Sequence, residues 1–213
     1  MICKIRCAIV AIVLLVLLPQ MAAASGNRAE QAPVSSSLLQ SLQQGGYILY
    51  VRHGEANEGE DQPNLTFRDC STQRNLSQAG KEEAIAYGET LRRLHIPVLA
   101  PVLASPFCRT RETAELAFGQ EKVQVDPFWI SIYRLSGDVP LEEQATTLSA
   151  LTYFLEKIPK KGSNQVIIAH SFPKGIGLGE ISNLGSVVVK PKGIGKGYEI
   201  IDRISLQELS SIR

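Results

Sequence analysis

Several things are scarce in this chain, and each scarcity narrows what it does. Charge of one sign is the first: 22 basic and 21 acidic side chains leave a formal +1 over 213 residues. A nucleic-acid partner calls for a basic stripe or a high pI, so no electrostatic case exists for one. A small anion needs only a local cluster and stays open. Long apolar runs are also missing. The longest, Ala8 to Leu18, is short of the roughly 20 residues a membrane span requires. It follows Lys4 and Arg6 and precedes Ala22-Ala23-Ala24, which is the three-part plan of a secretory signal peptide, with cleavage expected between Ala24 and Ser25. We therefore read residues 1–24 as a signal peptide, 25–46 as a Ser- and Gln-rich linker and 47–213 as the folded domain. The mature protein is expected to be exported, periplasmic or secreted, without stable membrane insertion.

Cysteine is equally sparse. Cys3 and Cys7 leave with the leader, and Cys70 and Cys108 lack the Cys-x-x-Cys spacing of a zinc site or a thioredoxin-like motif. In an oxidising compartment these two either pair or stay as separate buried thiols, and the sequence leaves both open. The glycine-rich stretches "GIGLGE" and "GIGKG" lack a Gly-Lys-Ser/Thr ending and a strand-then-helix setting. They read as turns rather than nucleotide loops, the second joining a hairpin.

What is present alternates. "YILYV", Tyr47 to Val51, is an apolar ribbon of the kind found in a strand covered on both faces. A helix follows in "SQAGKEEAIAYGETLRRLHI", with Ser77 as its cap and Ala84, Ile85, Tyr87, Leu91 and Leu94 on one broad face. "VLASP" is a second strand, and "RTRETAELAFG" a helix stopped by Gly119. "LEEQATTLSALTYFLEKI" is a helix, "QVIIAH" a strand, and "SVVVK" and "GYEIIDRI" close the chain as strands. The fold class expected is α/β: three layers, α/β/α, around a mostly parallel central sheet with antiparallel closing strands.

Histidine is rare too, and its placement is informative. Of the three, His95 sits near a helix end, where it is most simply a surface residue. His53 and His170 each end an apolar strand, His53 directly after Arg52, while Arg109 follows the second strand. Ligand crevices form at the carboxyl ends of strands in open α/β sheets. If these three strands are neighbours, two guanidinium groups and two imidazoles converge. Such a pocket suits a phosphoryl group, since arginine offers a planar fork of donors and imidazole is a competent nucleophile.

Taken in order, "RHGE", "SPFCRTRETA" and "IIAHS" resemble the three signatures of the histidine phosphatase superfamily, which also contains the phosphoglycerate mutases. "NLSQAGKEEA" resembles the family's first helix opening, and "GYEIIDRI" its last strand. The resemblance implies that His53 is the nucleophile that becomes phosphohistidine. It further implies that Arg52 and Arg109 hold phosphoryl oxygens, that His170 donates to the transferring group, and that no metal or other cofactor is needed. The expected ligand is a small phosphorylated substrate, and the expected activity hydrolysis of a phosphomonoester.

Two departures qualify it. Ser171 follows His170 where the family often has Gly or Asp, and "FWISIYRLSGDVP" contains no Glu where mutase-like members carry their general acid. Asp138 is the nearest carboxylate and the first expectation for that role, with Glu55 and Asp61 behind it. The alternatives are a mutase-like phosphotransferase and a non-catalytic anion-binding protein that retains the pocket.

Overall fold

The computed structural model describes residues 35–212, so the signal-peptide reading lies outside the described residues. Six strands form one sheet: β1 (Ile48–Arg52), β2 (Val98–Ala104), β3 (Val123–Val125), β4 (Asn164–Ala169), β5 (Ser186–Pro191) and β6 (Tyr198–Ile204). Their spatial order is β3-β2-β4-β1-β5-β6. The β1–β4, β4–β2 and β2–β3 pairs are parallel, and β5 and β6 join antiparallel. Among the described residues six α-helices accompany them: α1 (Ser36–Gln44), α2 (Gln78–Arg93), α3 (Cys108–Phe118), α4 (Trp129–Arg134), α5 (Leu141–Leu155) and α6 (Leu206–Ser211). Among the described residues no helix is long and apolar enough to cross a membrane.

The continuous apolar run of β1 serves two cores at once. Successive strand residues point to opposite faces. Leu49 and Val51 join Leu38 and Leu42 of α1, Tyr87 and Leu91 of α2, and Ala114 and Ala117 of α3. Ile48 and Tyr50 join Trp129 and Ile132 of α4, Leu151 and Leu155 of α5, and Phe172 and Leu178. The sheet is thus the middle of three layers.

Several elements depart from the sequence reading. The stretch read as linker contains α1, capped by Ser35 through the Leu38 amide, because Leu38 and Leu42 bury one face of an otherwise polar segment. β2 begins earlier than "VLASP" and bulges between Leu99 and Leu103. β3 and α4 carry too little periodicity over three and six residues to be read. In α2, Ser77 caps as expected, but Ile85 is 40% exposed. The helix turns Gly88 toward α3, where an added Cβ would overlap the Ala117 carbonyl, and Ile85 falls at the rim of the buried face. His95 lies just past α2, exposed and with φ 54°. The second Pro-Lys-Gly-Ile-Gly copy does make the β5–β6 turn.

Candidate active site

β1, β4 and β2 are parallel neighbours, so their carboxyl ends open on one edge of the sheet. The ladder carries on past β1, the His53 amide donating to the Ala169 carbonyl at 3.1 Å. The turn beyond it is backbone packed on backbone. A Cβ on Gly54 would lie 2.5 Å from the Gly80 carbonyl oxygen, and one on Gly80 would overlap Glu55. Any side chain at either position would push His53 away from the start of α2. Thr113 Oγ1 accepts from the Gly54 amide at 3.2 Å and completes the anchorage.

His53 is buried, and its Nδ1 lies 2.6 Å from the Gly54 carbonyl oxygen. A carbonyl can only accept, so Nδ1 carries the proton and Nε2 presents its lone pair. Burial first, then the charge of Arg109, with Arg52 and Arg74 adding to it, push the pKa down to about 3 against the carbonyl's opposing pull. The ring is therefore neutral in the substrate-free protein near pH 7.

His170 follows β4, buried, with its ring centroid 5.5 Å from that of His53. Burial, then the neighbouring His53 and Arg109, hold it well below the ordinary histidine value. Its Nε2 lies 3.2 Å from Ser105 Oγ, a hydroxyl that can accept from it or donate to it. Phe107 and Tyr133 pack on the same ring at centroid distances of 4.8 and 5.1 Å, and Tyr50 donates to the His170 carbonyl at 2.8 Å.

Arg109 is the second residue of α3 and only 1% exposed. Its guanidinium lies over the Phe107 ring, 4.4 Å from the centroid, and forms a two-pronged pair with Asp61. Tyr133 and the Arg74 amide donate to the same carboxylate at 2.9 and 2.7 Å. Burial opposes the Asp61 charge, but Arg109, the Arg74 amide and Tyr133 outweigh it and hold this carboxyl below its usual value. Arg52 is partly buried, and Nη1 donates to the Ile181 carbonyl at 2.9 Å. Burial and then the neighbouring Arg74 and Arg109 lower its pKa.

Asp61, Arg74, Arg109 and Tyr133 line a cavity of about 310 Å³ with Gly59 and Glu60. The open question of the cysteines closes in favour of the pair: Cys70 and Cys108 form a disulfide, which ties the loop after β1 to the first residue of α3.

The structure thus brings His53, His170, Arg52 and Arg109 to one edge of the sheet, as the sequence placed them. It does not bring Asp138 there. That side chain is exposed in the turn after α4 and lines a different cavity, bounded by Tyr133, Arg134 and Glu143 among others. Glu55 is exposed and accepts from the Ser77 hydroxyl at 2.7 Å. Ser105, Arg74 and Tyr133 are contributors that the sequence reading passed over. Ser105 alone had a local signal, standing one step past the apolar residues of β2.

Among known proteins, residues 48–130 match the model for the histidine phosphatase superfamily, branch 1. That segment carries the first two signatures and stops before His170. By this match residues 48–130 carry a histidine phosphatase superfamily domain. No curated protein matches by sequence. Solved structures with a similar fold include a candidate alpha-ribazole-5'-P phosphatase from Escherichia coli, at 14% identity and TM-score 0.54, covering 76% of this chain and 98% of that one. Mycobacterial hydrolase 1 is similar at 16% identity and TM-score 0.50, covering 74% and 97%. The protein histidine phosphatase SixA, solved with tungstate, has 16% identity and TM-score 0.49, covering 76% and 99%.

Proposed function

We propose that this protein is an exported phosphatase that hydrolyses a small phosphomonoester through a phosphohistidine at His53, without a metal. The observation that carries the reading is the fixed tautomer of His53. A buried, neutral imidazole whose Nδ1 proton is committed to Gly54 has its Nε2 lone pair ready at the end of β1, beside Arg52, Arg109 and His170.

In the first half-reaction Nε2 attacks phosphorus, the P–O bond to the alcohol breaks, and the electron pair leaves with that oxygen. Arg52, Arg109 and an N–H of His170 take the charge that spreads over the three non-bridging oxygens. In the second, water attacks phosphorus, the P–N bond breaks, and orthophosphate departs with His53 restored. The carboxylate of Asp61, already held by four donors, is a poor proton source for the leaving alcohol. The proton then comes from solvent, which favours substrates with good leaving groups. The disulfide supports the exported reading, since such bonds persist in oxidising compartments.

One observation favours a second reading, retention of the pocket for anion binding alone: of the three carboxylates expected from the sequence, Asp61 is held by four donors and Asp138 and Glu55 are exposed away from the histidines. Rapid-quench kinetics separate the two. A phosphatase turns over and yields acid-labile, base-stable phosphate on the protein, whereas a binding protein gives neither. His53→Ala should abolish turnover and labelling while leaving the melting temperature near that of the parent. Native-like turnover in that variant would remove His53 as the nucleophile.

A further inference from the structure

Arg109 is more fully committed on one side than on the other. A guanidinium has five N–H bonds. Nη1 donates to Asp61 Oδ1 at 2.9 Å and to the Arg74 carbonyl at 3.1 Å, and Nη2 donates to Asp61 Oδ2 at 3.1 Å. Nε is sealed from solvent and has no partner. The Nε–H and the remaining Nη2–H lie parallel along one side of the planar group, so the bonds to Asp61 leave a second fork unused. A buried, unpaired donor of this kind is costly unless something accepts from it. Two oxygens of a phosphoryl group match the fork.

We propose that Asp61 is a positioning residue of the phosphoryl pocket: it grips the end-on fork of Arg109 and so aims the side fork, Nε and Nη2, at the phosphoryl oxygens, which reach Nε by displacing the atoms that close over it. The ligand rests on the phosphatase reading above. Asp61 suits the task because it is itself immobilised. Each carboxylate oxygen accepts two donors, Oδ1 from Arg109 and the Arg74 amide, Oδ2 from Arg109 and the Tyr133 hydroxyl. The rings of Phe107 and Tyr133, 4.4 and 5.4 Å from the guanidinium carbon, limit its tilt. Lysine at position 109 has no fork to hold and could not take this role.

The same contact has a rival meaning. If the phosphoryl group instead took the end-on fork, Asp61 would be a competitor that the ligand must displace. Binding of orthophosphate, measured by calorimetry on the full protein, tells the two apart. With Asp61 as positioning residue, Asp61→Ala should bind orthophosphate more weakly, on the order of 10- to 100-fold. Added formate, which can fill the vacated place, should restore part of the loss. Tighter binding in Asp61→Ala, with formate weakening it, would show competition and overturn the proposal. Unchanged affinity would overturn it as well.

Should Asp61→Ala fail to fold, Tyr133→Phe removes one donor from the same carboxylate. It should weaken orthophosphate by about threefold or more, and an unchanged affinity there also counts against Asp61. The two readings fail differently. A wild-type protein that binds orthophosphate but never turns over sinks the phosphatase and leaves the Asp61 result standing. One that does not bind orthophosphate at all removes both.

Discussion

Removing the Cys70–Cys108 bond offers a test whose size follows from the chain itself. The two residues are 38 positions apart. Closing a loop of that length in the unfolded chain corresponds to about 4 kcal/mol of stability at 25 °C on the chain-entropy account. For a domain of this size that is a fall in Tm of roughly 8–16 °C. The perturbation is Cys70→Ala with Cys108→Ala, since a single replacement would leave a lone thiol beside the site. Urea and thermal melts of parent and variant give the stability term, and orthophosphate affinity of the folded variant gives the second half of the prediction. The bond joins the loop that carries Asp61 and Arg74 to the residue before Arg109, so affinity should fall along with stability. A Tm change under about 3 °C would refute the entropic reasoning and show that contacts such as Gln73 Oε1 on the Cys108 amide, at 2.8 Å, already hold the loop. A large Tm change with unaltered affinity would refute the link to the pocket.

Three further outcomes are expected. The folded-state pKa of His53 and of His170 lies below the unfolded value near 6.5, so the unfolded chain binds more protons in between. Stability of the ligand-free protein should hold above about pH 6.5 and decline as pH falls toward 3, each histidine adding a slope of up to about 1.4 kcal/mol per pH unit; a flat urea midpoint between pH 6.5 and 4.5 would contradict their burial as neutral groups. Gly80→Ala should cost about 1 to 3 kcal/mol by overpacking against Glu55, and should lower turnover further by shifting His53, as melts and steady-state kinetics on nitrophenyl phosphate would show. Asp138→Asn should leave aryl and alkyl phosphate hydrolysis alike, because its side chain opens on another cavity; a loss confined to alkyl esters would reinstate it as the general acid.

The parts legible in the sequence were those with a local cause. The apolar run of β1 and the polar break after it marked both the strand and the place where Arg52 and His53 emerge. Ser77 and Gly119 announced helix ends because caps act within a turn of the residue that makes them. What escaped depends on contacts between distant segments. Leu38 and Leu42 look like stray apolar residues in a Ser- and Gln-rich run until they meet the face of β1. Tyr133 has nothing around it to mark it as a ligand of Asp61, 72 positions away. Asp138 was nearest to the expected acid along the chain, but α4 ends before it and turns it out to solvent.

The sheet order bears on how the protein is made. β4 sits between β1 and β2, yet it is synthesised after both. Until residue 169 is available, the two earlier strands have an unfilled slot between them; β2 has one bare edge and β1, whose other neighbour β5 comes later still, has two, and such edges invite pairing with another chain. Export of such a chain before it folds, or shielding by a chaperone, would keep that slot from being filled by a neighbour. A fragment ending at residue 163 should accordingly self-associate in a sedimentation experiment, and addition of a peptide spanning β4 should reduce the association, leaving the edge of β1 that β5 covers still bare. A monodisperse, soluble fragment would mean that the slot closes in some other way before the last parallel strand arrives.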